Sequence, residues 1–388
     1  MATVPPPAGE AHLRRIALVS PNYHPRTCGV GDNTARLALE LLRRGMKAVV
    51  LTRTPAEPHP AAPEVPVVGF EGSPRAIGRA ILGWVDSNPG HDVIVQYTPQ
   101  MLGASRFGST AVPRLIRALR SRGAPVTVIA HELCLAWAAR PDLLASAVTQ
   151  RLQLAACARN AFRFAVTTAT RVSLVEGWFR FVPRTPPVRL VPIGSPVAPV
   201  PWNPSPQGFR IGTFSTLSVG KRFDVVLDAF ARIAREATDA ELWLLGDMLA
   251  RQDGMTHDFV QAVAGHPAKD RIHIPGKQPL HAVAATLASF HAFLFPMDTG
   301  ANTRSSTLPL ALGSGVPAVA TRGPETDDVF QDGRNVLFAH ALSGEALSDS
   351  VLRLRREPAL AARLSKGALA LHDSHLSWPK IVDALLDA

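Results

Sequence analysis

The feature that most constrains this chain is an alternation, met twice, of short apolar runs with amphipathic stretches, the two series separated by a proline-rich break. The first series runs RIALVS (15–20), KAVVLT (47–52), DVIVQYT (92–98), PVTVIA (125–130), FAVTTA (164–169) and VRLVPI (188–193). Helical periodicity fills the gaps. In the first gap Ala35, Ala38, Leu39 and Leu42 repeat at i, i+3, i+4 and i+7, with Asp32 expected as N-cap and Gly45 as the stop. Strands that alternate with helices form a parallel sheet covered on both faces. Residues 55–66 carry five prolines and read as a loop. Residues 183–206 hold nine prolines, and 195–208 show no periodicity, which marks a linker. The second series then restarts with strands at 210–218, 241–247, 271–276, 292–297 and 317–321, helices between them, and helical sequence from 343 to the end. The fold class is α/β, with two doubly wound domains of similar size.

Composition narrows the function classes. A length of 388 residues suits two to three domains, and 46% hydrophobic with 19% charged residues is ordinary for a globular chain. The net charge is +10, but all except six of the 41 basic residues are arginine. An Arg-, Ala- and Pro-heavy composition is what a GC-rich genome produces without selection for a partner. No zinc finger, RRM-like signature or basic heptad module is present, and 6% aromatics supply few stacking platforms, so no nucleic-acid partner is expected. Cys28, Cys134 and Cys157 are scattered and suit a reducing compartment rather than a disulfide framework. The N-terminal residues lack the apolar run of a signal peptide and no window holds 18 apolar residues, so a cytoplasmic location is expected. Arginines 151, 159, 163, 171, 180 and 184 lie among Leu, Phe and Trp; the stretch 151–184 reads either as a peripheral contact with an anionic membrane or as a solvated helix face.

Open parallel sheets bind ligands beyond the carboxyl ends of their strands, so the loops that follow strands carry the candidate sites. Gly29-Val30-Gly31 lacks the third glycine of a dinucleotide fingerprint, where Thr34 stands. The second strand ends at Arg53 rather than an acid, which leaves an NADP-dependent oxidoreductase open. Either way, glycines at a helix start let a phosphate or sugar reach backbone N–H groups. Gly220-Lys221-Arg222 is no Walker A, since Ser215 and Arg222 occupy the positions of its first glycine and its Ser/Thr. Two cations at a helix start oppose the helix dipole, and a bound anion would offset that. Arg304 with Ser305, Ser306 and Thr307 offers a guanidinium fork, three hydroxyls and a helix N-terminus, a set suited to a diphosphate. His131-Glu132 has Leu135 where a zinc protease needs its second histidine, and Leu312 breaks a nucleophile elbow at Ser314. No metal site is expected.

Together these residues resemble the GT-B retaining glycosyltransferases of family 4, over nearly the whole chain. CGVGDNTARLALELLRRGMKAVVLT (28–52) is similar to that family's glycine-rich first loop and helix, and His131-Glu132 to its cleft histidine region. IGTFSTLSVGKRFDVVLDAF (211–230) resembles its phosphate-binding segment. FLFPMDTGANTRSSTLPLALGSGVPAVATRGPETDDVF (293–330) resembles its donor-binding block. The resemblance implies a GT-B architecture of two Rossmann-like domains facing across a cleft: 1–194 for the acceptor, a linker at 195–208, and 209–372 for the nucleotide-sugar. A final helix, 373–388, would cross back to the N-terminal domain. It implies a nucleotide-sugar donor and an acceptor the sequence does not name. Transfer would proceed with retention, without a metal or other cofactor. Lys221, Arg304 and the Ser305–Thr307 helix start would hold the diphosphate, with Ser215 and Arg222 in the same donor site. Gly31 would approach from the other domain, His131 would contact the donor sugar as the catalytic residue, and Glu325 would hold the ribose. Two departures from the family pattern stand out: Asn302 and Leu310 occupy the positions of its paired glutamates, and Thr213 that of an arginine. A relative that keeps the fold without sugar transfer stays open beside the transferase.

Overall fold

Branched and apolar runs build the first sheet, as expected of strands buried on both faces. The structure, a computed structural model, describes residues 14–26, 28–103, 105, 107–137, 140–249 and 253–386. Strands β1 (Arg15–Val19), β2 (Lys47–Arg53), β3 (Val67–Phe70), β4 (His91–Tyr97), β5 (Val126–Ala130), β6 (Arg163–Val166) and β7 (Val188–Leu190) stand in the order β3-β2-β1-β4-β5-β6-β7. The pairs around β1 are parallel, with Leu18 opposite Val50 on one side and Ile94 on the other. Helices α1 (Gly29–Arg43), α2 (Pro74–Ser87), α3 (Ala111–Ser121), α4 (Pro141–Asn160) and α5 (Ala169–Phe179) fall between the strands. Strand β3 is absent from the sequence reading. Its Val67-Val68-Gly69-Phe70 run is apolar, but it is only four residues long and directly follows the proline-rich loop 55–66, with which it reads as one segment. Helix α1 also starts earlier than expected: Cys28 is its N-cap, and Asp32 lies inside the first turn.

The second sheet repeats the plan. Strands β8 (Phe209–Phe214), β9 (Ala240–Leu245), β10 (Ile272–His273), β11 (Ala292–Phe295), β12 (Ala318–Ala320) and β13 (Leu337–Phe338) stand in the order β10-β9-β8-β11-β12-β13, and all five neighbouring pairs are parallel. Helices α6 (Phe223–Glu236), α7 (Gly254–Ala264), α8 (Leu280–Ala288), α9 (Thr307–Ser314), α10 (Gly344–Arg356), α11 (Pro358–Leu371) and α12 (Trp378–Leu386) accompany them. Alternate strand residues feed two separate cores. Leu242, Leu244 and Leu294 pack with Val226, Phe230 and Ile233 of α6, whereas Leu245, Phe293 and Phe295 pack with Leu308 and Leu312 of α9. The helical sequence after 343 is broken at Pro358, which opens α11 because proline is tolerated only in a helix's first turn. Among the described residues no helix is long and apolar enough to cross a membrane.

Contacts divide the chain into Met1–Phe164 with Val182–Pro186, and Ala165–Phe181 with Pro187–Ala388. The division is not a single cut at the proline-rich stretch 195–208. Hydrogen bonds explain why Ala165–Phe181 counts with the second unit: Thr303 Oγ1 lies 2.7 Å from Thr167 O, and Ala169 N donates to Asp327 Oδ1 at 2.8 Å. Within that same unit, Trp378 Nε1 donates to Ser195 O at 2.9 Å, and Gly194 has no room for a side chain against Trp378.

Gly212 sits in the middle of β8, and a Cβ there would meet the Trp243 carbonyl of β9 and come within 2.6 Å of the Phe290 ring. Gly212→Ala is therefore expected to overpack this core and lower stability by about 1–3 kcal/mol. A fall in the thermal or urea midpoint measures it; an unchanged midpoint would show that the sheet yields there without strain.

Candidate functional site

Strand order reverses between β8 and β11, and at such a point the loops that follow the two strands diverge and leave a crevice. Three loops border it, and backbone hydrogen bonds zip them together. Asp298 N donates to Gly220 O at 3.0 Å, which joins the loop after β11 to the loop after β8. Ala301 N donates to Thr321 O at 3.1 Å and Glu325 N to Thr299 O at 2.9 Å, which joins it to the loop after β12. Gly323 makes the close approach possible, since a Cβ there would stand 2.5 Å from Asp298 O.

A cavity of about 260 Å³ opens at this crevice. It is lined by Thr213 near the end of β8, Ser215 just after it, Lys221, Asn302, and the run Arg304, Ser305, Ser306 and Thr307 at the start of α9. Phe214, Phe223, Phe295, Pro296 and Met297 complete the wall, and no carboxylate is among the lining residues. Six of the sequence-derived residues thus meet in one place: Ser215, Lys221, Arg304, Ser305, Ser306 and Thr307.

Each cation has a distinct environment. Lys221 ends a 3₁₀ turn, Val219–Lys221, with Nζ 3.3 Å from Thr216 Oγ1. Burial penalises its ammonium and brings its pKa down from the usual lysine range to about 8. Arg222 does not line the cavity. Its backbone is left-handed, at φ +41°, and its guanidinium reaches Asp224 Oδ2 at 2.7 Å and Asp298 Oδ1 at 3.4 Å. Those bonds hold the guanidinium charged and push the Asp224 carboxyl down. Arg304 Nη2 stands 3.8 Å from Glu325 Oε2, and Arg171 Nε stands 3.7 Å from the same oxygen. That oxygen is buried and accepts no hydrogen bond among the described residues. Glu325 therefore sits behind Arg304, shared between two guanidiniums.

The start of α9 is built from hydroxyls. Thr307 N donates to Ser305 Oγ at 3.3 Å, and Ser305 Oγ lies 3.1 Å from Thr307 Oγ1. Pro309 occupies the first turn, where a missing N–H costs nothing. The first amides of any helix lack carbonyl partners and carry the positive end of its dipole. Those of α9 lie beside Arg304 at the cavity. Asn302 is held inside the loop: its Nδ2 donates to Gly300 O at 2.9 Å and its Oδ1 accepts from Arg304 N at 3.2 Å. Leu310 is wholly buried in the core of this unit.

Asp327 escaped the sequence reading, which offered nothing to separate it from Glu325 and Asp328. It is buried and anchors the site loop: Oδ2 accepts from Thr303 N at 2.8 Å and lies 2.7 Å from Thr303 Oγ1, while Oδ1 accepts from Ala169 N.

The two remaining candidates belong to the first unit. Gly31 lies in the first turn of α1, where a Cβ would come within 3.0 Å of Asn22 O. One residue on, Asp32 Oδ1 accepts from His59 Nε2 at 3.0 Å. His59 Nδ1 accepts from Ala61 N, which places the ring proton on Nε2. His131 follows β5 and is buried, with Nε2 hydrogen-bonded to Gln96 Oε1 of β4. Gln96 Nε2 has no partner among the described residues. Arg53 is engaged by the loop after β1, donating to Asn22 Oδ1 at 2.8 Å and to Pro21 O at 3.3 Å.

Residues 208–357 match a family model described as "Glycosyl transferases group 1". No curated protein sequence matches the chain. Solved structures similar to it over nearly its full length share little sequence. Sucrose-phosphate synthase from Thermosynechococcus elongatus is 17% identical with a TM-score of 0.72, covering 95% of this chain and 96% of that one. The pneumococcal O-GlcNAc transferase GtfA, solved with UDP and GlcNAc, is 14% identical with a TM-score of 0.71, covering 97% and 100%. Anabaena HepE, solved with UDP-glucose, is 14% identical with a TM-score of 0.70, covering 96% and 98%. These likenesses establish the GT-B fold of two Rossmann-like parallel-sheet domains.

Asp327→Ala would strand the amides of Ala169 and Thr303, and each buried unsatisfied donor costs about 1–3 kcal/mol. The expected result is a loss of about 2 kcal/mol or more in chemical denaturation. A midpoint equal to that of the parent chain would mean that the loop is held by other contacts.

Proposed function

We propose that this protein is a glycosyltransferase that moves a sugar from a nucleoside-diphosphate-sugar to an acceptor hydroxyl or amine, with retention of configuration, in glycan, glycolipid or natural-product biosynthesis. The observation that carries this reading is the cavity at the β8/β11 reversal, where Lys221, Arg304 and the N-terminus of α9 converge without a carboxylate in the wall. The match of residues 208–357 to a glycosyltransferase family model supports it, since every lining residue falls within that segment.

In this reading the diphosphate lies against Lys221, Arg304 and the Ser305–Thr307 hydroxyls, with Ser215 beside it. Departure of the nucleoside diphosphate leaves an oxocarbenium-like centre on the sugar. Donors already aimed at the leaving phosphates lower that barrier, because they need no reorganisation as charge develops. The departing phosphate then takes the acceptor proton on the face from which it left, so the step calls for no protein nucleophile. Glu325, behind Arg304, orients that guanidinium, and its proposed part in holding the ribose rests on the family resemblance. Gly31 and His131 belong to the first unit, and for them the proposed roles toward the donor rest on the family resemblance alone. Gln96 fixes His131 with its proton on Nε2. Asn302 and Leu310 leave the sugar end without the family's two carboxylates, so hydroxyl recognition there falls to neutral groups.

Two measurements test the reading. The first is a thermal-shift screen with UDP, GDP, ADP, dTDP and NADP, with UDP foremost because GtfA and HepE were solved with uridine nucleotides. A ligand at ~100 times its Kd stabilises by about 2.7 kcal/mol. Lys221→Ala and Arg304→Ala should each weaken the responding nucleotide by about tenfold or more, the effect of losing a charge-assisted contact of 1.5–3 kcal/mol. A response to NADP alone that depends on Arg53 would replace transferase by oxidoreductase. Nucleotide binding with no transfer or hydrolysis across a panel of sugar donors would leave a non-transferring relative.

The second is the pH dependence of that binding. An anion favours the charged ammonium, so it raises the pKa of Lys221 from about 8. Affinity is therefore full below that value and falls as pH rises through it, and binding near pH 8 takes up a proton. Calorimetry in two buffers of different ionisation enthalpy reads the uptake. It should vanish in Lys221→Arg, whose guanidinium stays charged throughout.

A further inference from the structure

Helix α4 carries apolar residues on its outer as well as its inner side, among polar ones such as Gln150, Arg151 and Gln153. Its inner side, with Ala147, Leu154, Cys157 and Ala158, is buried. Its outer side presents Leu144, Val148 and Leu152 at four-residue spacing, and Leu152 is 66% exposed. Flanking loops extend this surface. Leu135 N donates to Gln150 Oε1 at 2.8 Å, and Arg151 donates to Leu135 O at 3.0 Å. The Arg151 guanidinium also stacks 3.8 Å over the ring of Trp137, which is 61% exposed. On the other flank, Ser109 N donates to Gln153 Oε1 at 2.6 Å and so carries the exposed Phe107 to the same helix. Single exposed apolar residues are ordinary, but a row of three on one helix face, with an exposed tryptophan held beside it, marks a surface suited to a cover.

The charge around this surface is one-sided. Residues 107–164 contain eight arginines, no lysine and two carboxylates, Glu132 and Asp142. Asp142 is paired with Arg140 at 3.0 Å, and of the arginines Arg122 is paired with Asp86 at 2.7 Å. Exposed Arg114 and Arg117 lie on α3, which packs along α4, and Arg159 is exposed at the end of α4. A second copy would set two such basic fields face to face. An anionic lipid leaflet instead offers an apolar layer for the leucines and tryptophan and phosphates for the arginines.

We propose that the outer face of α4, with Trp137 beside it, docks on the surface of an anionic lipid bilayer. The site shares only the second half of α4 with the basic stretch 151–184 and centres on Trp137, Val148 and Leu152. It is independent of the nucleotide cavity and stands whether or not that cavity transfers sugar.

The test is co-sedimentation of the full chain with vesicles of phosphatidylcholine alone or mixed equally with phosphatidylglycerol. Binding is expected on the mixed vesicles only, with release at high ionic strength as phosphate contacts are screened. Leu144→Gln with Leu152→Gln, both at exposed positions, should weaken partition by about tenfold through lost apolar insertion. The melting midpoint and the nucleotide response should be unchanged. In a second readout, nitroxide-labelled lipid should quench the parent chain more than Trp137→Phe. No binding to the mixed vesicles would overturn the proposal, as would binding indifferent to both leucine substitutions. So would a stable dimer that these substitutions dissociate, since the occupant would then be a second copy.

Discussion

Everything at the candidate site follows from one constraint of a parallel sheet: all its strands point the same way, so the carboxyl ends gather on one edge. Where the order reverses between β8 and β11, that edge is left uncovered by crossover connections. The loops arriving there expose backbone amides and helix N-termini. Water or an anion must satisfy those groups, because the preceding strand has no carbonyls left to offer. A positive, concave site is thus inherited from topology before any side chain is chosen.

Side chains then sharpen it. Lys221 is buried enough to lose part of its hold on a proton, so its charge is poorly compensated until an anion arrives. Arg304 leans toward Glu325 at a distance too long for a hydrogen bond, and Arg171 shares the same oxygen. Arg222 is already saturated by two aspartates and serves the loop rather than the cavity. Three neighbouring cations thus divide their work by the carboxylates within reach. Asp327 holds the loop that carries Arg304, through backbone amides rather than through charge pairing.

The α4 surface follows a different logic. Its leucines are exposed along one helix face, and its arginines are distributed around them rather than focused in a pocket. Focused charge selects a small anion, whereas charge spread around an apolar face suits an extended anionic surface.

The strand alternation and the glycine, lysine and arginine loops were legible in the chain, because they rest on local periodicity and backbone preference, whereas the division into units does not fall at the proline-rich stretch. Six of the ten candidate residues meet in one cavity for the same reason: each follows a strand whose end topology places. What stayed hidden depended on partners distant in sequence. Asp327 is set apart from Asp328 by burial and by the amides its oxygens face, and Arg222 is drawn from the cavity by Asp224 and by Asp298, the latter far along the chain. Strand β3 is four apolar residues directly after a proline-rich loop, too short to stand out from it, and Asp32 lies inside α1 because the helix begins at Gly29, before it. The amino-acid order by itself thus determined the class of fold and the loops where chemistry would gather. Tertiary structure alone decided which charges stay available to a ligand, since that depends on carboxylates and burial contributed by residues far along the chain.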